Sequence, residues 1–173
     1  MDGISLFELK KDDREKADEL AELAREIWTE HYTPLIGPGQ VSYMLSKFQS
    51  AGSILNDIAA NGYRYFIVYD GSKPAGYFAV KPEPDKKALF LSKFYLEKSC
   101  RGRGISRIML DRIMRIARES GLGHIWLTVN KHNETSIKIY KRLGFRIIED
   151  IVTDIGNGFV MDDYKMRLDM DQG

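Results

Sequence analysis

The sequence predicts an α/β (α+β) chain: a mixed, mostly antiparallel sheet, helices on its flanks, and one parallel strand–helix–strand crossover. Three observations carry this. Aromatic and β-branched runs recur at strand length. Three stretches repeat apolar residues at helical spacing. In the second half, strand, helix and strand alternate with short connections, which implies a right-handed crossover between parallel strands.

Taken in order, "SLFELKK" (Ser5–Lys11) alternates apolar and polar residues, as an edge strand does. Ala17, Leu20, Ala21, Ala24, Ile27 and Trp28 then share a helical face behind an acidic first turn. "TPLIGPG", with two prolines and two glycines, is expected to stop that helix. "QVSYMLSKFQSAGSILNDIAANG" reads as one broken helix or two short ones, ending at Gly62. Tyr63–Asp70, Ala75–Asp85 and Lys87–Lys98 form an antiparallel meander of three strands. A helix spans Gly104–Ser120, a strand His124–Asn130, and a short helix ends at Gly144. Phe145–Ile155 and Asp162–Met170 close the sheet.

Composition narrows the function. The chain has 173 residues, enough for a single domain spanning 1–173, and a formal net charge of +1. That balance argues against a general nucleic-acid binder, so an anion site has to be local. One cysteine, Cys100, excludes an internal disulfide framework and fits a reducing, cytoplasmic compartment. No apolar run is long enough for a membrane span, and the N-terminal "MDGISLFELKKDD" lacks a signal-peptide core. No metal-ligand spacing is present.

The unusual segment is "SCRGRGISRIMLDRIM", where Arg101, Gly102, Arg103, Gly104 and Arg107 crowd the mouth of a helix. A helix start offers free N–H groups and a partial positive charge. Glycines admit close approach of a ligand to the backbone, and arginines add charge-assisted donors. A P-loop is excluded because Gly-Lys-Ser/Thr is missing. A dinucleotide fingerprint would place Arg107 where a third glycine belongs. A third pattern, Arg/Gln-x-x-Gly-x-Gly/Ala, is met by Arg101, Gly104 and Ile105, with Ser106 in the last small position. The plain alternative is a tight turn before a solvated basic helix.

Downstream, "HIWLTVNKHNETSIKIYKRLGF" contains a strand, Asn130, Asn133, Tyr140 and then Gly144-Phe145. Together the two segments resemble the GNAT family of acetyl-CoA-dependent N-acetyltransferases, over about Tyr63 to Ile147. "HYTPLIG" and "FVMDDYKM" look most like its spermidine/spermine, PaiA-like branch. The resemblance implies the acyl-CoA N-acyltransferase fold, in which two parallel strands splay to receive the pantetheine arm. It implies acetyl-CoA as cosubstrate and acetyl transfer to a primary amine by direct attack, the acceptor being a polyamine, another small cationic amine or a protein N-terminus.

By the same resemblance, main-chain groups of Phe94 and Leu96 meet the acetyl and pantetheine portions. The stretch Arg101, Gly102, Arg103, Gly104, Ile105, Ser106 and Arg107 holds the pyrophosphate. Asn130 and Asn133 line the cofactor, and the Tyr140 phenol protonates the leaving thiolate. Read from the residues alone, Asn133 is equally a helix N-cap before Glu134, and Tyr140 a packed aromatic between Ile137 and Leu143. Relatives often carry a carboxylate on the central strand where this chain has Ser92; Glu97 and His31 remain as candidate bases, His31 for its intrinsic pKa. Cys100, with no histidine nearby in sequence, reads as a solvent-side bystander. Asp162 and Asp163 with Tyr32, Tyr43, Phe159 and Tyr164 suit a cationic amine, or else form an acidic turn. A non-catalytic acyl-CoA sensor is the alternative function. A C-terminal strand pairing between copies leaves a homodimer open.

Overall fold

The structure, a computed structural model, describes Gly3–Asp171; the outermost residues of the expected 1–173 domain lie outside the described residues. Strand β1 (Ile4–Glu8) precedes helices α1 (Arg14–Ile36), α2 (Pro38–Phe48) and α3 (Ala51–Ala60). Then come β2 (Arg64–Asp70), β3 (Lys73–Glu83), β4 (Ala88–Leu96), α4 (Ile105–Glu119), β5 (His124–Asn130), α5 (Glu134–Arg142), β6 (Arg146–Gly156) and β7 (Phe159–Asp169). The strand order is β1-β2-β3-β4-β5-β7-β6. The β4–α4–β5 crossover is parallel, while β1–β2, β2–β3, β5–β7 and β6–β7 pair antiparallel. The mixed sheet expected from the sequence is therefore present.

The chain forms two compact units. The first runs to Lys81 and adds Lys93–Ile113. Its core joins the α1 stripe (Ala17, Leu20, Ala24, Ile27, Trp28) to one sheet face, where Tyr65, Ile67 and Tyr77 are fully covered. The other face stacks Phe66 on Phe78, rings 4.6 Å apart. Gly76 is set by close approach: a Cβ there would run into the Tyr95 carbonyl and Leu96. The second unit comprises Pro82–Ser92 and the chain from Met114 on. Ile125, Leu127, Val129 and Met166 form its core. Phe90 stacks on Trp126 at 4.2 Å, and the Trp126 indole N–H donates to Glu83 Oε1 at 2.7 Å.

"TPLIGPG" stops α1 as expected, although the helix carries on through Pro34 to Ile36 and ends at Gly37, at φ 85°. Proline fixes a helical φ and sacrifices one hydrogen bond, whereas the left-handed glycine cannot continue the helix. Pro38 then opens α2 at a position whose N–H has no helical acceptor. The final strand begins earlier than Asp162, at Phe159, because Gly156, Asn157 and Gly158 all take positive φ and close a tight β6–β7 hairpin. Asp162 and Asp163 thus lie within a strand, not in an acidic turn. Among the described residues, no helix is long and apolar enough to cross a membrane.

Candidate functional site

In the first unit, β4 carries Phe94 and Leu96, both half-buried, and leads through a 3-10 turn (Lys98–Cys100) into the loop before α4. Gly102 and Gly104 hold φ of 75° and 81°. The two left-handed glycines flank Arg103 at the mouth of a 15-residue helix, a local geometry from which an anion nest can be built. Ile105 is fully buried and anchors the helix start; Ser106 is half-buried, so the one departure from the family pattern leaves a small side chain at the nest.

All three loop arginines have carboxylate partners. Arg101 reaches Glu30 Oε2 at 3.0 Å, Arg103 reaches Asp70 Oδ2 at 2.8 Å, and Arg107 lies 3.6 Å from Asp111 Oδ1. Arg101 Nε also donates to the Leu96 carbonyl at 3.1 Å. These pairs lie at the surface, where solvent and salt screen them, so they contribute little to stability.

The Glu97 carboxylate is not placed as a base. It accepts hydrogen bonds from the Ser99 N–H and hydroxyl and lies 3.7 Å from Lys73 Nζ. Those bonds, the Ser99 hydroxyl first, hold its pKa below the usual carboxylate range. Cys100 is 2% exposed, with Sγ 3.6 Å from Glu97 Oε2. It is a packed residue and not a solvent-side one, because the 3-10 turn rolls it inward. His31 lies on α1, half-buried, its ring 4.9 Å from that of Tyr32. Tyr32 shares a hydroxyl contact of 3.0 Å with Tyr95 of β4, and Trp28 and Tyr77 pack on the same tyrosine. No local pattern in the sequence signals this aromatic cluster, since its members come from α1, β3 and β4.

In the second unit, Asn130 ends β5 and its Oδ1 accepts the His132 N–H at 2.9 Å. Asn133, 3% exposed, caps α5 by accepting the Ser136 N–H at 3.2 Å. Both asparagines therefore shape the β5–α5 loop, and the cap role weighed for Asn133 is real. Tyr140 is half-buried on α5, its ring 5.7 Å from Phe145 in an edge arrangement. Lys131 bridges Asp150 and Asp162 at 3.1 and 3.0 Å. Asp163 is 3% exposed, one oxygen lacks a hydrogen-bond partner, and burial first, then the Asp162 charge, pushes its pKa up to about 6. The parallel ladder joins Ala88–Phe90 to His124–Trp126, while β4 runs on to Leu96 and β5 to Asn130. Among the described residues, no group of three or more His, Cys, Asp or Glu is placed to hold a metal ion.

The strand and glycine–arginine loop of the first unit, and the capped helix bearing a tyrosine in the second, are elements of a mixed α/β fold with a parallel crossover. Residues 17–145 match the family model of the acetyltransferase (GNAT) family, and the chain belongs to that family. It is 25% identical over 160 residues to the spermidine N(1)-acetyltransferase of Thermoplasma acidophilum, covering 90% of this chain and 96% of that protein. Over 71 residues it is 35% identical to the streptothricin acetyltransferase of Streptomyces lavendulae, 41% of this chain but 38% of that protein. The matched segment likewise spans 57% of a Bacillus subtilis N-acetyltransferase, YdgE. In fold it is similar to the PaiA N-acetyltransferase of Thermoplasma acidophilum, solved with coenzyme A, at a TM-score of 0.78 and 20% identity over 96% of this chain and 99% of that one.

Proposed function

We propose that the protein transfers an acetyl group from acetyl-CoA to a primary amine. One observation carries this reading: the Gly102–Gly104 nest at the start of α4, set among three arginines, in a chain of this family. The nest N–H groups and Arg101, Arg103 and Arg107 bind the pyrophosphate, exchanging exposed carboxylate partners for phosphate. Main-chain groups of Phe94 and Leu96 align the pantetheine arm and the thioester, the Leu96 carbonyl leaving Arg101 as they do so. Asn130 and Asn133 hold the β5–α5 loop in the shape that presents Tyr140, and the Tyr140 phenol gives its proton to the departing sulfur. The acceptor is a small cationic amine of the polyamine class. The likeness to a spermidine acetyltransferase over nearly the full chain supports that choice.

The test is release of free thiol from acetyl-CoA against polyamines, amino acids and short peptides. Turnover is expected with spermidine or spermine and not with neutral side-chain amides. Acetyl-CoA binding by calorimetry without thiol release for any amine would overturn the enzyme reading in favour of an acyl-CoA sensor. A homodimer through the edge strand β6, which exposes Ile148 and Val152, belongs to the same reading; a monomeric mass in sedimentation would remove it.

A further inference from the structure

An acceptor amine is an ammonium ion at neutral pH, and only its neutral form attacks a thioester. The two candidate positions on and just after β4 do not supply the group that takes this proton. Ser92 offers a weakly basic hydroxyl, and Glu97 is spent on Ser99 and Lys73. One titratable group on β4 has no role in the mechanism above. Lys93 stands one residue before Phe94, whose main chain meets the thioester in the proposed reading. Strand alternation puts it on the face of Tyr95, the face that meets Trp28 and Tyr32 of α1 and Tyr77 of β3.

The inner part of that face is closed to water, while Lys93, Tyr95 and Tyr32 are half-buried. Trp28 and Tyr77 are 2% and 0% exposed and hydrogen-bonded to each other at 2.9 Å. Tyr77 continues to Gln49 at 2.7 Å, Gln49 to Tyr65, and Tyr65 to Asp57 of α3. Other titratable groups on this side of the unit are Tyr32 and His31 on α1 and Tyr95 on β4. Asp57 is the charge that favours the lysine cation, and its effect is smaller than the burial that opposes it. The outcome is a Lys93 pKa pushed down to about 8.

We propose that Lys93 is the general base that takes the proton from the acceptor ammonium. This rests on the acetyl-transfer reading. Neutral Nζ accepts one proton from R–NH3+, leaving R–NH2. The nitrogen lone pair forms the new N–C bond, and the C–S bond breaks with its electrons on sulfur. The sulfur takes the Tyr140 proton, and the surplus proton on the new amide nitrogen returns to the phenolate. Lys93 then releases its proton to water, so each acetyl transferred yields one proton. A lysine tuned near neutrality matches this task better than an unperturbed carboxylate, whose conjugate acid is far more acidic than an alkylammonium ion.

The test compares wild type with Lys93→Met and Lys93→Gln in the full chain, using two acceptors: spermidine, and trifluoroethylamine, which is already neutral at pH 7. For wild type with spermidine, kcat/KM is expected to rise with pH and level near the Lys93 value of about 8. Both variants should lose about 100-fold at pH 7 with spermidine, lack the inflection, and lose less than about threefold with trifluoroethylamine. Equal losses with the two amines, the result expected of a merely structural lysine or a damaged fold, would overturn the base role. So would undiminished spermidine turnover. Independently of any variant, NMR titration of the Lys93 side chain in wild type should give a midpoint near 8; a midpoint above 10 removes the base. Wild type that releases no thiol with any amine overturns the acetyl-transfer reading itself, an outcome distinct from active wild type indifferent to Lys93.

Discussion

The glycine–arginine loop before α4 and the asparagine loop before α5 both lead into helices, yet they are held in different ways. The first is exposed from Arg101 to Gly104, and its side chains are tied by ion pairs to Glu30, Asp70 and Asp111. The second is tied by short side-chain-to-backbone bonds within itself, with Asn133 almost completely covered. Screened surface pairs exchange partners at little cost, whereas a buried cap cannot be released without stranding an amide and freeing the helix end. The loop proposed to accept a charged ligand is thus the one whose bonds are replaceable, and the loop proposed to present Tyr140 is the one held by a buried cap.

That contrast can be broken at several points. The largest effect is expected from Tyr140→Phe: kcat should fall about 100- to 1,000-fold while acetyl-CoA affinity in calorimetry stays within about twofold. Unchanged turnover would leave Tyr140 a packing residue beside Phe145. Next, Gly102→Ala places a Cβ on a left-handed backbone, at a cost of about 1–2 kcal/mol. Since the loop is exposed, the cost should appear as roughly tenfold weaker acetyl-CoA binding with little change in melting temperature. Asn133→Ala should do the reverse, lowering stability by about 1–2 kcal/mol, or roughly 2–6 °C, with acetyl-CoA affinity nearly intact.

Asp163→Asn tests the buried strand carboxylate. Its folded pKa of about 6 lies above the ordinary aspartate value of 3.8, so the folded state binds more protons between those limits and stability falls as pH rises through them. The penalty is complete above pH 6. The variant should therefore melt roughly 5 °C higher than wild type at pH 7.5 and no higher near pH 4, as followed by circular dichroism. The smallest effect belongs to Glu30→Gln, which frees Arg101. Acetyl-CoA affinity should rise by about two- to threefold at low salt and show no difference at high salt.

Much of this was readable from local chemistry. Strand β5 runs from His124 to Asn130 as expected, because its alternation and flanking loop signals agree. The helix behind the basic loop differs from its expected span by one residue at each end, since Gly104 and Gly121 bound it. The segment "TPLIGPG" does end α1, with Gly37 and not Pro34 as the residue that stops it. The missed site features share one cause: partners distant in sequence. Neither Tyr95 against Tyr32 nor Arg103 against Asp70 leaves a periodic trace. Lys93 reads in sequence as an ordinary strand lysine between Ser92 and Phe94.

The sequence alone determined the order and kind of elements, the glycine nest, and the pairing of that motif with Asn133 and Tyr140. These depend on backbone preference and short-range spacing, which residues carry with them. Only the tertiary structure decided which charges are screened and which are buried. It set Cys100 inside, made Asp162 and Asp163 strand residues, occupied Glu97 as a cap, and put Lys93 on the strand face that carries Tyr95. Solvation is a property of the packed surroundings, and with it the acidity of a side chain, so neither is written in the residue itself.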